Sequence, residues 1–305
     1  MSKAIELSLN ESGYILEALK QGIRLDGREL LEPREPEIIL SKTEYGYAEI
    51  KWGKTLLAVR VSAEIIKPYE DRPFEGLFNI STEISSMASI NFENGKNSDD
   101  EVLISRLIEK AIKRSNSLDL ESLCLIAGEK VWNIRVDLNF LNYDGNIIDS
   151  GCFAVMVGLL HFKKPDISIN GEDIIVHDID ERQPVPLSIL HIPICISYSF
   201  FNPDNKEANL KGDLNNEISI IDSNGKEESV RDGSLVVTVN KNRELLQLSK
   251  NGGLPIDALT LMDLSRKAYS IAERWTDKIR QTIKRDEEER YEKLNLRLLE
   301  VGASR

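Results

Sequence analysis

The chain has 305 residues, 41% of them hydrophobic and 30% charged, with a formal charge of −12 at pH 7. That length and apolar fraction suit one large domain or two ordinary ones around a substantial core, and they exclude a disordered chain. The acidic excess argues against autonomous nucleic-acid binding, which depends on lysine and arginine releasing counterions from phosphates.

The opening Met1-Ser2-Lys3-Ala4-Ile5-Glu6-Leu7 lacks the apolar stretch of a signal peptide. Leu9 to Gly22 reads as a short helix, with Ile15, Leu16 and Leu19 as its apolar stripe and Ser8 or Asn10 as its cap. Arg24-Leu25-Asp26-Gly27-Arg28 follows, its Asp-Gly a turn signal. From Ile38 to Ile90 the pattern is strand-like: Tyr45, Tyr47 and Glu49 alternate with smaller or apolar residues, and Thr55 to Val61 is a buried run. A helix over 100–114 comes next, then a strand over Val131–Leu138. A turn at Tyr143-Asp144-Gly145-Asn146 leads to an apolar helix from Asp149 to Leu160.

A second unit starts after Pro184-Val185-Pro186, with strands expected over Ile192–Phe201, Ile218–Asp222, Ser234–Val239 and Glu244–Ser249. Asn202 to Asn216 is polar and loop-like, an expected insertion. Asn251-Gly252-Gly253-Leu254-Pro255 is a sharp turn, and a long helix begins near Ile256. Its Leu261, Leu264, Ala268, Ile271 and Trp275 step by three and four, the spacing of one buried face. Lys284 to Glu292 has no apolar stripe and reads either as a solvated helix extension or as an arm that docks a partner or faces RNA. Strands followed by helices in both halves fit an α+β fold rather than a doubly wound sheet.

Several motifs fail as sites. Cys124, Cys152 and Cys195 are few, widely spaced and set among apolar neighbours, so they read as buried reduced thiols rather than zinc ligands or nucleophiles. Gly53-Lys54-Thr55 resembles the end of a phosphate-binding loop, but Ala48 stands where the pattern needs glycine, and a strand follows instead of a helix. His177-Asp178-Ile179-Asp180-Glu181 reads as a polar turn between the units rather than a metal cluster. Asp222 and Asp232 bracket the turn Ser223-Asn224-Gly225-Lys226 and read, on their own, as ordinary loop charges.

The segment from Ser98-Asp99-Asp100-Glu101 through Ile104-Ser105-Arg106-Leu107-Ile108-Glu109-Lys110-Ala111 resembles the central helix of the RNase PH family of phosphorolytic exoribonucleases. Further markers fall in the same order as in that family. They are Arg24-Leu25-Asp26-Gly27-Arg28, Pro73-Phe74-Glu75-Gly76, Glu83-Ile84-Ser85-Ser86-Met87-Ala88-Ser89 and Val131-Trp132-Asn133-Ile134-Arg135-Val136-Asp137. After these come Tyr143-Asp144-Gly145-Asn146-Ile147-Ile148-Asp149, Pro184-Val185-Pro186-Leu187 and Asp232-Gly233-Ser234-Leu235. The resemblance spans roughly Leu25 to Ile283 and is nearest to the RNase PH-type subunits of the RNA exosome ring, of the non-catalytic type.

That resemblance implies an RNase PH fold of two βαβα-like halves, with mixed sheets, helices packed on them and a long C-terminal helix. It divides the chain into an N-terminal helix (1–24), a first half (25–183), a second half (184–285) and a charged tail (286–305). It also implies that active members carry two arginines where Asp99 and Asp100 stand. A helix N-terminus favours anions, and two aspartates there repel phosphate. Active members follow Asp144-Gly145 with a Gly-Ser/Thr-Arg element; here Asn146-Ile147 follows. They carry paired aspartates in the second half, where Ile196-Ser197-Tyr198-Ser199 stands at the first position and only Asp232 matches the second.

The expectation is therefore a subunit with no catalytic residues, metal or cofactor. Its implied partners are paralogous RNase PH-type subunits in a six-membered ring, S1/KH cap proteins, an associated hydrolytic nuclease and single-stranded RNA, in nucleus, nucleolus and cytoplasm. The alternative is a phosphorolytic 3′-exoribonuclease with a divergent site. On helix 100–114, Ile104, Leu107, Ile108 and Ala111 form the apolar face, and Arg106, Lys110, Lys113 and Arg114 share the other. That basic stripe is expected to touch RNA phosphates along the ring's channel, or else to be a solvated surface.

Overall fold

The computed structural model describes residues 7–89, 92, 99–170, 173–178, 182–202 and 217–303. The expected insertion lies almost wholly outside the described residues, as do Ile179, Asp180 and Glu181. Helix α1 (Leu9–Lys20) is closed by a capping box in which Ser8 and Glu11 satisfy each other's backbone N–H. Its Ile15 and Leu19 bury against Phe201 and Ile220 of the second half.

The first half is a sheet of β1 (Pro36–Leu40), β2 (Tyr47–Trp52), β3 (Thr55–Ile66), β4 (Leu77–Ile84), β5 (Cys124–Ile126) and β6 (Lys130–Asn142). The order is β1-β2-β3-β6-β4, with β5 on β6. Pairings are antiparallel except β4 with β6, which is parallel and needs a crossover. Helix α2 (Asp99–Lys113) lies in that crossover. Gly53-Lys54 is the hairpin turn between β2 and β3, not a phosphate loop.

Helix α3 (Ile147–His161) is buried on every side, from Asp149 through Leu159. A helix apolar all round belongs in the interior. Here α3 lies between the first sheet and the second, with Gly158 letting it approach Val59 of β3: a Cβ there would come within 3.0 Å of the valine. Two ribbons that periodicity did not reveal join the halves: β7 (Lys163–Lys164) pairs with β10 (Val185–Pro186), and β8 (Ile167–Asn170) with β9 (Asp173–Val176).

The second half is an antiparallel sheet ordered β12-β11-β13-β14. Its strands are β11 (Ile194–Phe201), β12 (Ile218–Ile221), β13 (Gly233–Val239) and β14 (Leu245–Gly252), with α4 (Gly225–Glu228) in the β12–β13 connection. Helix α5 (Ala258–Ala303) closes the structure. Of its expected face, Leu264, Ala268, Ile271 and Trp275 are buried and Leu261 half-buried. Trp275 stacks edge-on to Trp52 at 4.8 Å and to Phe153 at 6.2 Å, so one side chain ties both halves together.

The segment read as a charged tail from residue 286 is continuous with α5, and its first turns pack on the first half. Asp286 pairs with Arg290 at 2.6 Å and lies 3.4 Å from His161. Arg290 also donates to the Ser41 carbonyl and stacks 4.4 Å over the Tyr45 ring, while Lys163 pairs with Glu287 at 2.8 Å. A helix without an apolar stripe is held there by ion pairs and one aromatic face, which hydrophobic periodicity does not register. Among the described residues no helix is long and apolar enough to cross a membrane.

Candidate functional site

The turn at Asp144-Gly145-Asn146 enters α3 and meets the turn that follows β12. Gly145 has φ +79°, and a Cβ there would fall 2.5 Å from the Ser223 carbonyl, so only glycine allows the two turns to touch. Asn146 and Asp222 face each other from these turns, both in the left-handed region at φ 58° and 52°, a conformation Asn and Asp tolerate better than most.

Asp222 is not the loop charge its position suggested. It is fully buried, and each carboxylate oxygen accepts three hydrogen bonds. Oδ1 accepts from Arg34 Nη2 (2.7 Å), Trp52 Nε1 (3.1 Å) and the Asn146 amide. Oδ2 accepts from Arg28 Nη1 (2.9 Å), the Arg34 backbone N–H (2.7 Å) and Arg34 Nε (2.8 Å). Burial alone would raise its pKa, but the hydrogen bonds and charge of Arg34, with the charge of Arg28, bring it down to about 2. Arg24 completes the joint, gripping Glu227 with Nε (3.1 Å) and Nη2 (2.7 Å) and donating to the Ile221 and Asp222 carbonyls. The Arg24–Arg28 marker is thus a clamp that fastens the N-terminal segment to the second half.

Asp149 lies one helical turn behind Asn146 and is also fully buried. Its Oδ2 accepts from the Ser197 N–H (2.8 Å), the Ser197 hydroxyl (2.9 Å) and the Asn146 amide (3.0 Å), while Oδ1 has no partner among the described residues. Burial pushes its pKa up to about 7, and the charge of Asp222 acts in the same direction. Two neighbouring buried carboxylates are thus shifted in opposite directions, because only one receives cationic donors.

Above this joint opens a cleft of about 370 Å3 between the halves. Leu103 and Ile104 of α2, Phe92, Tyr143, Ile147, Ile148 and Val236 supply apolar walls; Glu228, Arg231 and Asp232 supply the charge. Glu228 accepts from the Tyr143 hydroxyl (2.6 Å) and the Asn146 N–H (2.9 Å) and lies 3.7 Å from Arg231. Asp232 is exposed and accepts from the Asn202 N–H at 2.8 Å. Ser197 sits at the floor, bonded to Asn146 and Asp149. Arg231 is the only cation among the described lining residues, and it has a carboxylate partner. Asp99 and Asp100 begin α2 as expected, but their side chains lie outside the described residues.

The basic stripe is placed as the helical spacing required. Ile104, Leu107, Ile108 and Ala111 are buried, and Arg106, Lys110, Lys113 and Arg114 line a shallow hollow with Glu109. Arg106 pairs with Glu109 at 3.0 Å and Lys113 with the same carboxylate at 3.7 Å. Lys110 and Arg114 have no ion pair to a described residue. Cys152 and Cys195 are buried and Cys124 half-buried, all free. His177 bonds the Ser168 hydroxyl at 2.7 Å.

The network around Asp222 escaped sequence reading because Arg28, Arg34, Trp52 and Asn146 are far apart in the chain. The signal available was the pair of arginines flanking Asp26-Gly27, charged residues in a segment too short to be a solvated helix face.

Two family models cover most of the chain: 3′ exoribonuclease family, domain 1, over residues 32–165, and 3′ exoribonuclease family, domain 2, over residues 191–271. Exosome complex component RRP45 of Saccharomyces cerevisiae is 58% identical over 95% of both chains. The human RRP45, a polymyositis–scleroderma autoantigen, is 38% identical over 95% of this chain and 63% of its own length. A chain of the Archaeoglobus fulgidus exosome, solved with RNA bound to the active site, superposes with a TM-score of 0.72 at 26% identity, covering 88% of this chain and 97% of that one. With both halves matched in order and the yeast relative aligned over nearly its whole length, the protein belongs to the RNase PH-type 3′ exoribonuclease family, in its RRP45 branch of exosome components.

Proposed function

We propose that this chain is a non-catalytic structural subunit of the RNA exosome core. It assembles with paralogous RNase PH-type subunits in a six-membered ring capped by S1/KH-type proteins. Single-stranded RNA threads through that ring to an associated hydrolytic nuclease for 3′-to-5′ processing, rRNA maturation and turnover. The protein works in the nucleus, nucleolus and cytoplasm. The observation that supports the loss of activity is the cleft, where the one described cation is partnered by Glu228 and apolar Ile147 and Ile148 line the wall; the family resemblance implies a Gly-Ser/Thr-Arg element after Asp144-Gly145 in active members. Phosphoryl transfer rests on positioning and charge stabilisation, and losing a single such donor costs about 2.7–4 kcal/mol. Asp222 has no free lone pair to offer a metal or a substrate.

The test is phosphate-dependent release of nucleoside diphosphates from single-stranded RNA. The full chain is expected to release none. In the Asp99→Arg/Asp100→Arg double variant, affinity for phosphate at the start of α2 rises while phosphorolysis stays absent, because Ile147 and Ile148 still wall the cleft. Measurable phosphorolysis by that variant overturns the reading. Co-purification with paralogous ring subunits tests assembly separately.

Within this reading, Arg106, Lys110, Lys113 and Arg114 contact RNA phosphates. The support is that the two lysine and two arginine side chains share one face of α2, where Glu109 is the only carboxylate among the described lining residues.

A further inference from the structure

The segment between β3 and β4 (residues 67–76) holds two large aromatic side chains in water, Tyr69 and Phe74, each 64% exposed. The other exposed aromatics among the described residues, Tyr14 and Tyr291, stand apart on α1 and α5. The segment is pinned along its length. Arg72 N–H donates to the Tyr69 carbonyl at 3.1 Å, Gly128 N–H to the Pro73 carbonyl at 3.0 Å, and Gly76 N–H to the Leu120 carbonyl at 2.9 Å. Pro68 and Pro73 remove further backbone freedom. A fixed backbone therefore presents the Tyr69 ring to solvent.

Tyr69 lines a hollow of about 250 Å3, with Leu77 and Leu120 as apolar walls and Arg72 and Lys113 at its sides. Lys113 also lines the smaller hollow, of about 110 Å3, that Arg106, Glu109, Lys110 and Arg114 form on α2. The two hollows adjoin at Lys113, so the basic face of α2 leads to the tyrosine ring. From Arg106 to Lys113 the helix rises about 10 Å. Five cations and two carboxylates line the pair. Glu75 pairs with Arg72 at 3.1 Å, and Glu109 with Arg106 and Lys113, which leaves Lys110 and Arg114 without an ion pair to a described residue. Glu70 and Asp71 belong to the same segment as Tyr69 but line neither hollow.

Cations alone suit any polyanion. An aromatic face at the end of their row narrows the choice, because acidic side chains and inorganic polyphosphate bring charge without a planar ring. A nucleotide brings both. Sites that hold single strands without sequence preference combine these two parts, a basic groove that tracks the backbone and aromatic side chains on which bases stack. In a duplex the base faces are already covered by their neighbours, so the ligand that uses the tyrosine is single-stranded.

We propose that Tyr69 is a stacking platform for a base of single-stranded RNA, with the flanking phosphates on Lys110, Lys113 and Arg114. This rests on the reading that the α2 stripe contacts RNA, and it adds a residue that touches bases rather than backbone. The test is the affinity of the reconstituted ring for a single-stranded oligouridylate, measured across a range of salt. Tyr69→Ala weakens binding about tenfold, the scale of one lost base stack. It leaves the salt slope unchanged, because no phosphate contact is lost. Tyr69→Phe keeps the ring and binds as wild type does. Phe74→Ala, equally exposed but outside the hollow, also binds as wild type does. Unchanged affinity in Tyr69→Ala, while Arg106→Glu lowers both affinity and slope, overturns the stacking proposal alone. No loss in either variant overturns the stripe reading with it. A loss that phenylalanine does not restore, or an equal loss in Phe74→Ala, also overturns the proposal. So does a Tyr69→Ala chain that no longer co-purifies with paralogous subunits, which would make Tyr69 a contact between proteins.

Discussion

At the scale of single residues, Asp222 and Asp149 obey one rule with opposite results: cationic donors bring the pKa of one buried carboxylate down to about 2, and burial with only neutral donors raises the other to about 7. Asp222→Asn leaves Arg28 and Arg34 without their anion inside the protein. Breaking a buried pair from one side costs about 3–5 kcal/mol, and denaturant unfolding is expected to show a loss of that size. In the wild type the same carboxylate contributes stability above its unfolded value near 4 that disappears as pH falls through about 2. Asp149 runs the other way. Its folded pKa of about 7 exceeds the unfolded value, so its contribution is complete below about pH 4 and is lost as pH rises to 7. Asp149→Asn removes that decline. Relative to wild type, the variant is expected to be more stable at pH 8 than at pH 4, and unfolding curves at the two values check it. A parallel pH profile for both proteins would show Asp149 ionised throughout.

At the scale of elements, α5 is held by two kinds of force along one helix. Its first turns bury an apolar face, with Tyr198 donating its hydroxyl to the Leu264 carbonyl at 2.6 Å and Trp275 seated on Trp52. Its later turns are held by Arg290, which bridges Asp286, Ser41 and the Tyr45 ring. His161 supports that arrangement from α3: its Nδ1 accepts the Gly46 N–H at 3.1 Å and burial lowers its pKa, so the ring stays neutral beside Arg290. A partly desolvated cation over an aromatic ring is worth roughly 0.5–2 kcal/mol, enough to dock a helix end but not to fold a domain. Arg290→Ala is therefore expected to raise hydrogen–deuterium exchange in residues 286–293 while leaving exchange at Leu264 to Trp275 unchanged. Unchanged protection across 286–293 would mean that helix propensity alone maintains those turns.

At the scale of the whole molecule, an acidic chain that works with RNA must concentrate its positive charge on one face and leave the remainder of the electrostatics to its neighbours. Helix α2 meets that condition, because its apolar face is fixed on the core and its basic face is turned outward. Arg106 is 70% exposed on its side chain and paired only to Glu109, so it is free to exchange that partner for a phosphate. Arg106→Glu is expected to leave ring assembly intact and to slow degradation of long single-stranded RNA by the reconstituted complex. The salt-dependence slope of RNA binding falls by about one for each phosphate the ring no longer neutralises. Equal rates and equal protected lengths in the variant ring would make the stripe a solvated surface.

The sequence alone determined the α+β class, the two halves, the buried face of α2 and the start of α5, since each rests on local periodicity or on a turn residue such as Gly145. It also supplied the order Asp144-Gly145-Asn146-Ile147, on which the proposal of a lost phosphate site rests. Three features came from the tertiary structure instead: Asp222 is a buried hub and not a loop charge, Asp149 beside it has its pKa raised to about 7, and the segment past residue 285 packs on the first half. Those outcomes depend on donors brought together from Arg28, Arg34, Trp52 and Asn146, or from Tyr45 and His161. The pKa of a carboxylate and the docking of a charged helix are set by neighbours in space, and no pattern along the chain records which neighbours those are.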